Sequence, residues 1–378
     1  MKRIYEHGID RLSNQSKVTR AAVVGMLALA SISANATPVQ AGEVERLAGS
    51  NRYETAAEVS RSSFPQAESA NAVVVVSGEQ YPDALAAGPV AASHVAPILL
   101  TNANAMPQVS MDEANRAARS YHDTAVSSEP YQVAYIVGGE AVVGEQVVDQ
   151  LEANDFRVIR IAGANRVETS LEVAEFLRNK GIEDYRFLVD GTDPSQAQVA
   201  TMTASHYNLR ENNQVVDNQS TAGGFGSVLY TNDDQLSQGV RELLDSQDQT
   251  TATYAIGSMA VTATADFRYI RDIEGDDAIT TSLGVVERLY GESNEAYMQN
   301  VAITAIDGSG AWADSLAAAP NAGFFGNALP LFTYVDTLPN RVAEYLMDAS
   351  PSHAGATLYG GTATISTQVE ERIQDLTE

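Results

Sequence analysis

The chain has 378 residues, with 23 Lys and Arg against 49 Asp and Glu, which gives a formal net charge of −26. It contains no cysteine, which excludes disulfides, thiolate nucleophiles and Cys-ligated metal sites. The acidic balance argues against a general nucleic-acid-binding protein, because such a protein needs a basic surface. With 44% hydrophobic residues, the chain is long enough to form two or three domain-sized cores.

Residues 1–41 have the order of a secretory signal peptide. Basic residues are followed by the apolar run 21–32 and then by small residues that end at Ala41. The apolar run is too short to cross a bilayer, which needs roughly 20 residues. We predict cleavage after Ala41, and a secreted protein that is held at the cell surface without membrane insertion. An uncleaved anchor or a disordered tail is the alternative interpretation.

The rest of the chain contains a sequence repeat. RLAGSNRYET begins at Arg46 and RIAGANRVET begins at Arg160, so both copies read R-[LI]-A-G-x-N-R-x-E-T. A third, eroded copy includes IEGDDAITT, with Asp272 in place of the first arginine and Ala278 in place of the second. Such self-similarity is the signature of a repeat architecture. We therefore divide the chain into repeat 1 (42–155), repeat 2 (156–268) and a degenerate repeat 3 (269–378).

Each repeat alternates short apolar runs with helical patterns. In repeat 1 the runs are 73–76, 97–100 and 134–137, each bounded by Gly, Pro or polar residues. Runs that are apolar on both faces are typical of parallel strands covered by helices. The sequence therefore predicts an α/β fold of three tandem Rossmann-like repeats with parallel sheets.

The motifs of common enzymes and cofactor sites are absent from the sequence. There is no G-x-G-x-x-G after a first strand, no Walker A motif, no G-x-S-x-G elbow and no HExxH. We expect no cofactor, no metal and no catalytic residue. A glycan hydrolase that uses paired carboxylates stays open as an alternative, because such pairs cannot be seen in spacing alone.

Two aspartates recur at one repeat position, ahead of a helix. They are Asp83 and Asp314, and the corresponding residue of repeat 2 is Gln196. Capping of the helix N-terminus explains an aspartate there. A pair between Asp83 and either Arg46 or Arg52 is the second interpretation. The survival of an aspartate in repeat 3, which has lost both arginines, does not support pairing within a repeat.

The motif series resembles the cell wall-binding repeat 2 family. It runs R-x-A-G-x-N-R-x-E-T, S-G-x-x-Y-P-D-A-L-A-A-x-P, P-I-L-L-T and Y-I-V-G-G. The resemblance implies three Rossmann-like repeats around a pseudo-threefold axis, in one compact module. It also implies non-covalent attachment to an anionic wall polymer, such as a teichoic-type or phosphate-containing polysaccharide.

In this family the Ile-Leu-Leu motif is implicated in attachment, and here it corresponds to 98–100. The equivalent segments, 228–230 and 330–332, depart from it. A buried strand is the alternative interpretation, and both hold if the strand ends at a crevice, where ligands of α/β sheets bind. The candidate polymer-binding residues are Ile98, Leu99, Leu100, Thr101, Asn102, Val228, Leu229, Tyr230, Thr231 and Asn232. The repeat-signature residues, structural or binding, are Arg46, Arg52, Asp83, Arg160, Arg166 and Asp314.

Three hypotheses about function follow. The first is an exported, non-enzymatic protein that binds the cell wall, with other surface proteins as further partners. The second is a wall hydrolase or an amidase-modifying subunit, and the third is a secreted binder of a small ligand. An acidic chain repels a phosphate polymer, so attachment needs local cationic sites such as the repeated arginines, or bridging divalent cations.

Overall fold

The computed structural model describes residues 42–122, 129–207, 209–211, 214–215, 224–246, 251–294, 300–306, 310–326, 328–349 and 355–377. The predicted signal peptide, 1–41, lies outside these ranges. Within them, every helix is too short or too polar to cross a membrane.

Strands and helices alternate along all three repeats. Repeat 1 contains β1 (Glu43–Leu47), α1 (Arg52–Ser63), β2 (Val73–Ser77), α2 (Tyr81–Ala84), α3 (Gly88–Ser93), β3 (Ile98–Thr101), α4 (Gln108–Ala117), β4 (Gln132–Val137) and α5 (Glu145–Glu152). Repeat 2 contains β5 (Phe156–Ile161), α6 (Arg166–Asn179), β6 (Glu183–Asp190), α7 (Pro194–Ala204), β7 (Arg210–Glu211), β8 (Gln214–Val215), β9 (Phe225–Thr231), α8 (Gln238–Asp245), β10 (Ala252–Ile256) and α9 (Ser258–Ala263).

Repeat 3 follows the same plan. It contains β11 (Arg271–Ile273), α10 (Ala278–Asn294), β12 (Asn300–Ala305), α11 (Ala311–Pro320), a π-helical turn (Asn321–Phe325), β13 (Leu329–Thr333), α12 (Asn340–Ala349), β14 (Gly355–Tyr359) and α13 (Thr367–Thr377). The strands β2, β6 and β12 are each an inner strand of a sheet and carry almost only buried side chains.

The strands form three four-stranded parallel sheets. Their orders are β3-β2-β4-β5, β9-β6-β10-β11 and β13-β12-β14-β1, and the short β7 and β8 form a separate antiparallel pair. The predicted α/β fold with parallel sheets is confirmed. Each large sheet combines three strands of one repeat with the first strand of the next. We call each of these sheets with its helices a unit, and we number each unit after the repeat that supplies three of its strands.

The first strand of the described chain closes the assembly into a ring. β1 pairs in parallel with β14, with Glu43 opposite Gly355 and Leu47 opposite Tyr359. In the same way β5 pairs with β4, and β11 pairs with β10. The sheet of the third unit is therefore completed by residues from the opposite end of the sequence.

The repeated motif builds the turn between its strand and the following helix. The Asn51 side chain caps α1 by accepting hydrogen bonds from the backbone of Tyr53 and Glu54. The Gly49 N–H donates to Thr55 Oγ1 at 3.0 Å. A Cβ on Gly49 would lie 2.2 Å from the Glu54 Cβ, so only glycine fits. The equivalent residues of repeat 2 repeat this arrangement, with Asn165 as the cap.

Equivalent helices of the three repeats meet at the pseudo-threefold axis. They are α3, α7 and α11, and the residues that face one another there are Gly88, Thr201 and Ala319. A Cβ built on Gly88 would lie 2.4 Å from Thr201 Oγ1 and 3.3 Å from the Ala319 Cβ. These three residues occupy the same position in their repeats, so the helix contacts at the axis follow the sequence repeat.

Candidate functional site

The Ile-Leu-Leu segment lies in the core. Ile98, Leu99 and Leu100 form β3 and are at most 1% exposed. Leu99 packs on one face of its sheet with Val73 and Val75, whereas Ile98 and Leu100 face the larger core on the other side. The corresponding Val228, Leu229 and Tyr230 of β9 are buried in the same way. These side chains hold the sheets together, as the buried-strand interpretation requires.

The ends of these strands divide into buried threonines and accessible asparagines. Thr101 is buried, and its hydroxyl donates to Ala105 O at 3.2 Å. Thr231 is buried as well and donates to the Asp233 carbonyl at 2.6 Å. Asn102 is half-buried and accepts a hydrogen bond from the Tyr53 hydroxyl, while Asn232 is exposed. Of the ten candidate polymer-binding residues, these two asparagines reach the solvent.

The first arginine of each intact motif ties one repeat to the preceding one. Arg46 donates to the carbonyl of Gly360 at 2.7 Å and forms an ion pair with Glu370 at 2.9 Å. Arg160 donates to the carbonyl of Gly138 at 3.0 Å and pairs with Glu145 at 3.1 Å. These bonds anchor the motif strand to its neighbour in the sheet, which is a structural role for both residues.

The second arginine of each intact motif lies between two units, beside the carboxyl ends of the strands. Arg166 donates to the Gly191 carbonyl at 2.9 Å, and Arg52 donates to the Gly78 carbonyl. The Arg52 guanidinium also lies over the ring of Trp312 in repeat 3, at 5.7 Å from its centroid. Arg52 therefore bridges repeats 1 and 3 across the ring closure.

Aromatic side chains from repeats 1 and 3 lie at the same edge. Tyr81 of repeat 1 donates from its hydroxyl to the carbonyl of Thr192 in repeat 2, at 3.0 Å. Its ring meets that of Trp312 edge to face, with 6.3 Å between centroids. Tyr81 and Trp312 occupy one repeat position, in the first turn of the helix that carries the recurring aspartate. Neither residue is among the site residues predicted from the sequence, although both stand two positions before the recurring aspartates.

Each recurring aspartate faces the arginine of the next repeat. Asp83 accepts hydrogen bonds from the Gly139 N–H and the Thr169 hydroxyl, and the nearby charge that stabilises its carboxylate is Arg166. Asp314 accepts from the Thr364 hydroxyl, and the corresponding charge is Arg52.

The expectation that Asp83 meets Arg46 or Arg52 was therefore wrong. Neither aspartate caps its helix, because both lie inside the first turn and the N-cap residues are Gln80 and Gly310. The pairs join neighbouring repeats, because α2 contacts α6, the first helix of repeat 2, and α11 contacts α1, the first helix of repeat 1. The junction between the second and third units confirms this pattern, since Gln196 replaces the aspartate and Ala278 replaces the arginine. The aspartate and the arginine are therefore both missing at that junction. Within a single repeat the two residues do not disappear together, because repeat 3 keeps Asp314 and lacks the arginine.

Burial dominates the electrostatics of both aspartates. It raises the pKa of Asp83, although the Gly139 N–H, the Thr169 hydroxyl and Arg166 oppose this shift. Asp314 is 5% exposed, and burial raises its pKa to about 7 against the opposing effects of Thr364 and Arg52. In its ionised form, Asp314 is a poorly solvated carboxylate at the ring closure.

Replacing Asp314 with asparagine is expected to flatten the pH dependence of stability. The folded protein holds a proton on Asp314 up to about pH 7, whereas an unfolded aspartate loses it near pH 3.9. The free energy of unfolding therefore falls as the pH rises from about 4 to about 7. Thermal melts at pH 5, 6, 7 and 8 should show that Asp314→Asn gains stability relative to the natural protein as the pH rises. Parallel curves for the two proteins would contradict the burial argument, and Asp375→Asn, at an exposed position of α13, is the matched control.

The described residues contain no cluster of three or more His, Asp or Glu side chains that could hold a metal ion. The polar features that stand out at the strand ends lie where two units meet. Units 1 and 2 meet at Asp83 and Arg166, and units 3 and 1 meet at Asp314 and Arg52. We call these the two Arg–Asp junctions. Each combines a half-buried guanidinium with a carboxyl of raised pKa, and at the Arg52 junction the ring of Trp312 lies beside the guanidinium. This set of groups suits the recognition of an anion attached to a sugar, because the guanidinium matches a phosphate and the ring offers an apolar face.

A comparison with known protein families finds a match for most of the first repeat. Residues 46–148 match the family Cell wall binding domain 2 (CWB2). The chain is similar to the N-acetylmuramoyl-L-alanine amidase LytC of Bacillus subtilis, at 22% identity over 342 residues, which cover 90% of this chain and 60% of that protein. It is also similar to the amidase enhancer of the same organism, at 29% identity over 167 residues, 44% of this chain and 20% of the enhancer.

Solved structures show the same fold. Cwp6 from Clostridium difficile aligns with a TM-score of 0.67 at 20% identity, over 90% of this chain and 48% of that one. Cwp8 from Clostridium difficile aligns with a TM-score of 0.68 at 22% identity, over 88% and 51%. The chain thus spans between a fifth and three fifths of the length of these relatives. Residues 46–148 match the cell wall binding domain 2 family, which agrees with the motifs of the first repeat, and the chain is built from three units of one α/β fold.

Proposed function

We propose that this protein attaches non-covalently to an anionic, phosphate-containing polymer of the cell wall, at the clefts between its repeats. The observation that carries the proposal is the position of Arg52 and Arg166, each between two units at the carboxyl ends of parallel strands. Ligands of open α/β sheets bind outside these strand ends. The match of residues 46–148 to a cell wall binding family supports the wall as the target.

The chemistry of the junctions fits such a ligand. A guanidinium has five N–H donors, and the single bond from Arg166 to the Gly191 carbonyl leaves donors for a phosphate. Trp312 adds aromatic surface beside Arg52, and Tyr81 packs against Trp312, which suits a sugar ring. The strongly acidic chain repels a polyanion over long range, so attachment depends on these local cationic positions.

We further propose a secreted, non-enzymatic role at the cell surface. Asp83 and Asp314 are engaged by hydrogen bonds within the junctions, and neither lies beside a second carboxylate in the contacts described above. The similarity to an amidase and to an amidase enhancer keeps a wall hydrolase or a modifier subunit as the alternative. Zymography on wall preparations separates the two, and a clearing zone would refute the non-enzymatic role.

Co-sedimentation with washed cell walls tests the attachment. We expect the protein to pellet with intact walls and to stay in the supernatant after the phosphate polymers have been removed. The double variant Arg52→Gln, Arg166→Gln should reduce the affinity at least tenfold, because each charge-assisted hydrogen bond contributes about 2 kcal/mol. The matched control is Arg241→Gln, an exposed arginine of α8 whose partner is Asp266. If equal amounts of the protein pelleted with intact walls and with walls that lack the polymers, the proposal would be overturned.

A further inference from the structure

A buried tyrosine hydroxyl lies at the junction between the first two units. Tyr230 of β9 is 1% exposed, and its hydroxyl has no hydrogen-bond partner among the residues that the structure describes. The charges that act on this hydroxyl are those of Asp83 and Arg166, together with the hydroxyl of Tyr81. The group is thus directed at the same junction that holds the Arg–Asp pair. A buried polar group without a partner is rare in native structures and calls for an explanation.

The fold itself does not require this hydroxyl. At the same repeat position, repeat 1 has Leu100 and repeat 3 has Phe332, both buried at the equivalent place in their strands. The position of Tyr230 is fixed by its backbone, because its N–H donates to the Ser170 hydroxyl oxygen at 3.0 Å. An apolar side chain fills this position in the other repeats, so the oxygen of Tyr230 serves something other than packing.

The three junctions therefore differ in their donors. The junction of units 1 and 2 has Arg166 and the Tyr230 hydroxyl. The ring closure between units 3 and 1 has Arg52, but its equivalent of Tyr230 is Leu100. The junction of units 2 and 3 has neither, since Ala278 and Phe332 stand at the two positions.

We propose that the chain has two unequal phosphodiester sites rather than three, and that the tighter one is formed by Arg166 and the Tyr230 hydroxyl. The weaker site is the Arg52 junction, and the junction of units 2 and 3 does not bind. This proposal rests on the proposed function, and it adds the number of sites and the ligand group. Arg166 supplies charge and paired N–H donors to the phosphate oxygens, and Tyr230 supplies a donor that is already desolvated.

Calorimetric titration with a synthetic tetramer of glycerol phosphate measures the number of sites directly. We expect two sites with different dissociation constants. Arg166→Gln should remove the tighter site, and Arg52→Gln should remove the weaker one. Tyr230→Phe should weaken the tighter site about tenfold and leave the weaker site unchanged. Inorganic phosphate should bind more weakly than the tetramer at the same sites, and polyglutamate of matched charge should not bind.

Thermal melts separate a ligand-binding role of Tyr230 from a structural one. Tyr230→Phe removes a hydroxyl without a partner, so the melting temperature should stay constant or rise. The matched control is Tyr359→Phe, a buried tyrosine whose hydroxyl donates to Asn321 Oδ1, and here the melting temperature should fall without a change in binding.

Three equal sites, a single site, or a Tyr230→Phe variant with unchanged affinity would overturn the two-site assignment. If the tetramer fails to bind although the protein still pellets with intact walls, the proposed attachment survives and the phosphodiester sites do not. If the protein fails to pellet with intact walls, the attachment itself is refuted.

Discussion

Deletion of residues 42–47 is expected to unfold the third unit, although these residues belong to the first repeat of the sequence. The deletion removes β1, which pairs with all five residues of β14. It also removes Val44 and Leu47, which pack against the main core, and the ion pair between Arg46 and Glu370. Loss of these two partly buried apolar side chains alone costs about 2 kcal/mol, which is a substantial part of the 5–15 kcal/mol that stabilises a typical domain.

The single tryptophan makes this unfolding visible. Trp312 lies in α11 of the third unit, so its fluorescence during denaturant titration reports on that unit. We expect a separate, early transition in the deletion variant, compared with the chain that starts at Gly42. A synthetic peptide of residues 42–48 should restore the late transition by pairing with β14. Identical denaturation midpoints with and without residues 42–47 would contradict the ring closure.

Leu99→Asp is expected to unfold the first unit. Leu99 is fully buried between Val73, Val75 and Met111. The loss of the leucine contacts alone costs about 3 kcal/mol. A carboxylate at this position also loses its hydration without gaining a partner, so the total cost is larger. Circular dichroism and denaturant titration should show the loss, and wall binding should disappear together with the fold.

Leu99→Val distinguishes a core residue from a polymer-binding residue. A smaller apolar side chain keeps the strand and costs about 1 kcal/mol, so the variant should fold and pellet with walls like the natural protein. If a folded Leu99→Val variant lost its affinity for walls, the Ile-Leu-Leu segment would itself contact the polymer, and the junction arginines would not explain attachment.

The repeats and their parallel sheets could be predicted from the sequence because both depend on local patterns. The motif from Gly49 to Thr55 encodes a turn and a helix cap within a few residues. The apolar runs of β2 and β3 indicate strands that are covered on both faces. These features need no knowledge of the contacts between repeats.

The connections between repeats could not be predicted in the same way. A repeat in sequence has no defined starting point, so nothing in the motif shows that β1 belongs to the sheet of the third unit. The partner of Asp83 was misassigned for this reason, since Arg166 is remote in sequence but adjacent across the junction. The Ile-Leu-Leu segment stayed ambiguous because an apolar run is compatible with both a core strand and a contact surface. Tyr230 belongs to the equivalent segment of repeat 2, 228–230, and only the three-dimensional contacts show its hydroxyl at the junction.

The pairing of β1 with β14 also determines where the described chain enters and leaves the module. Gln374 near the end of α13 donates to the Gly42 carbonyl at 2.7 Å, so the two ends lie side by side on the third unit. A short linker could join them, and a new opening in the connection after α8 would then yield a circularly permuted protein with every sheet intact. Any additional domain fused at either end would start from this one place, away from the cleft between the first and second units.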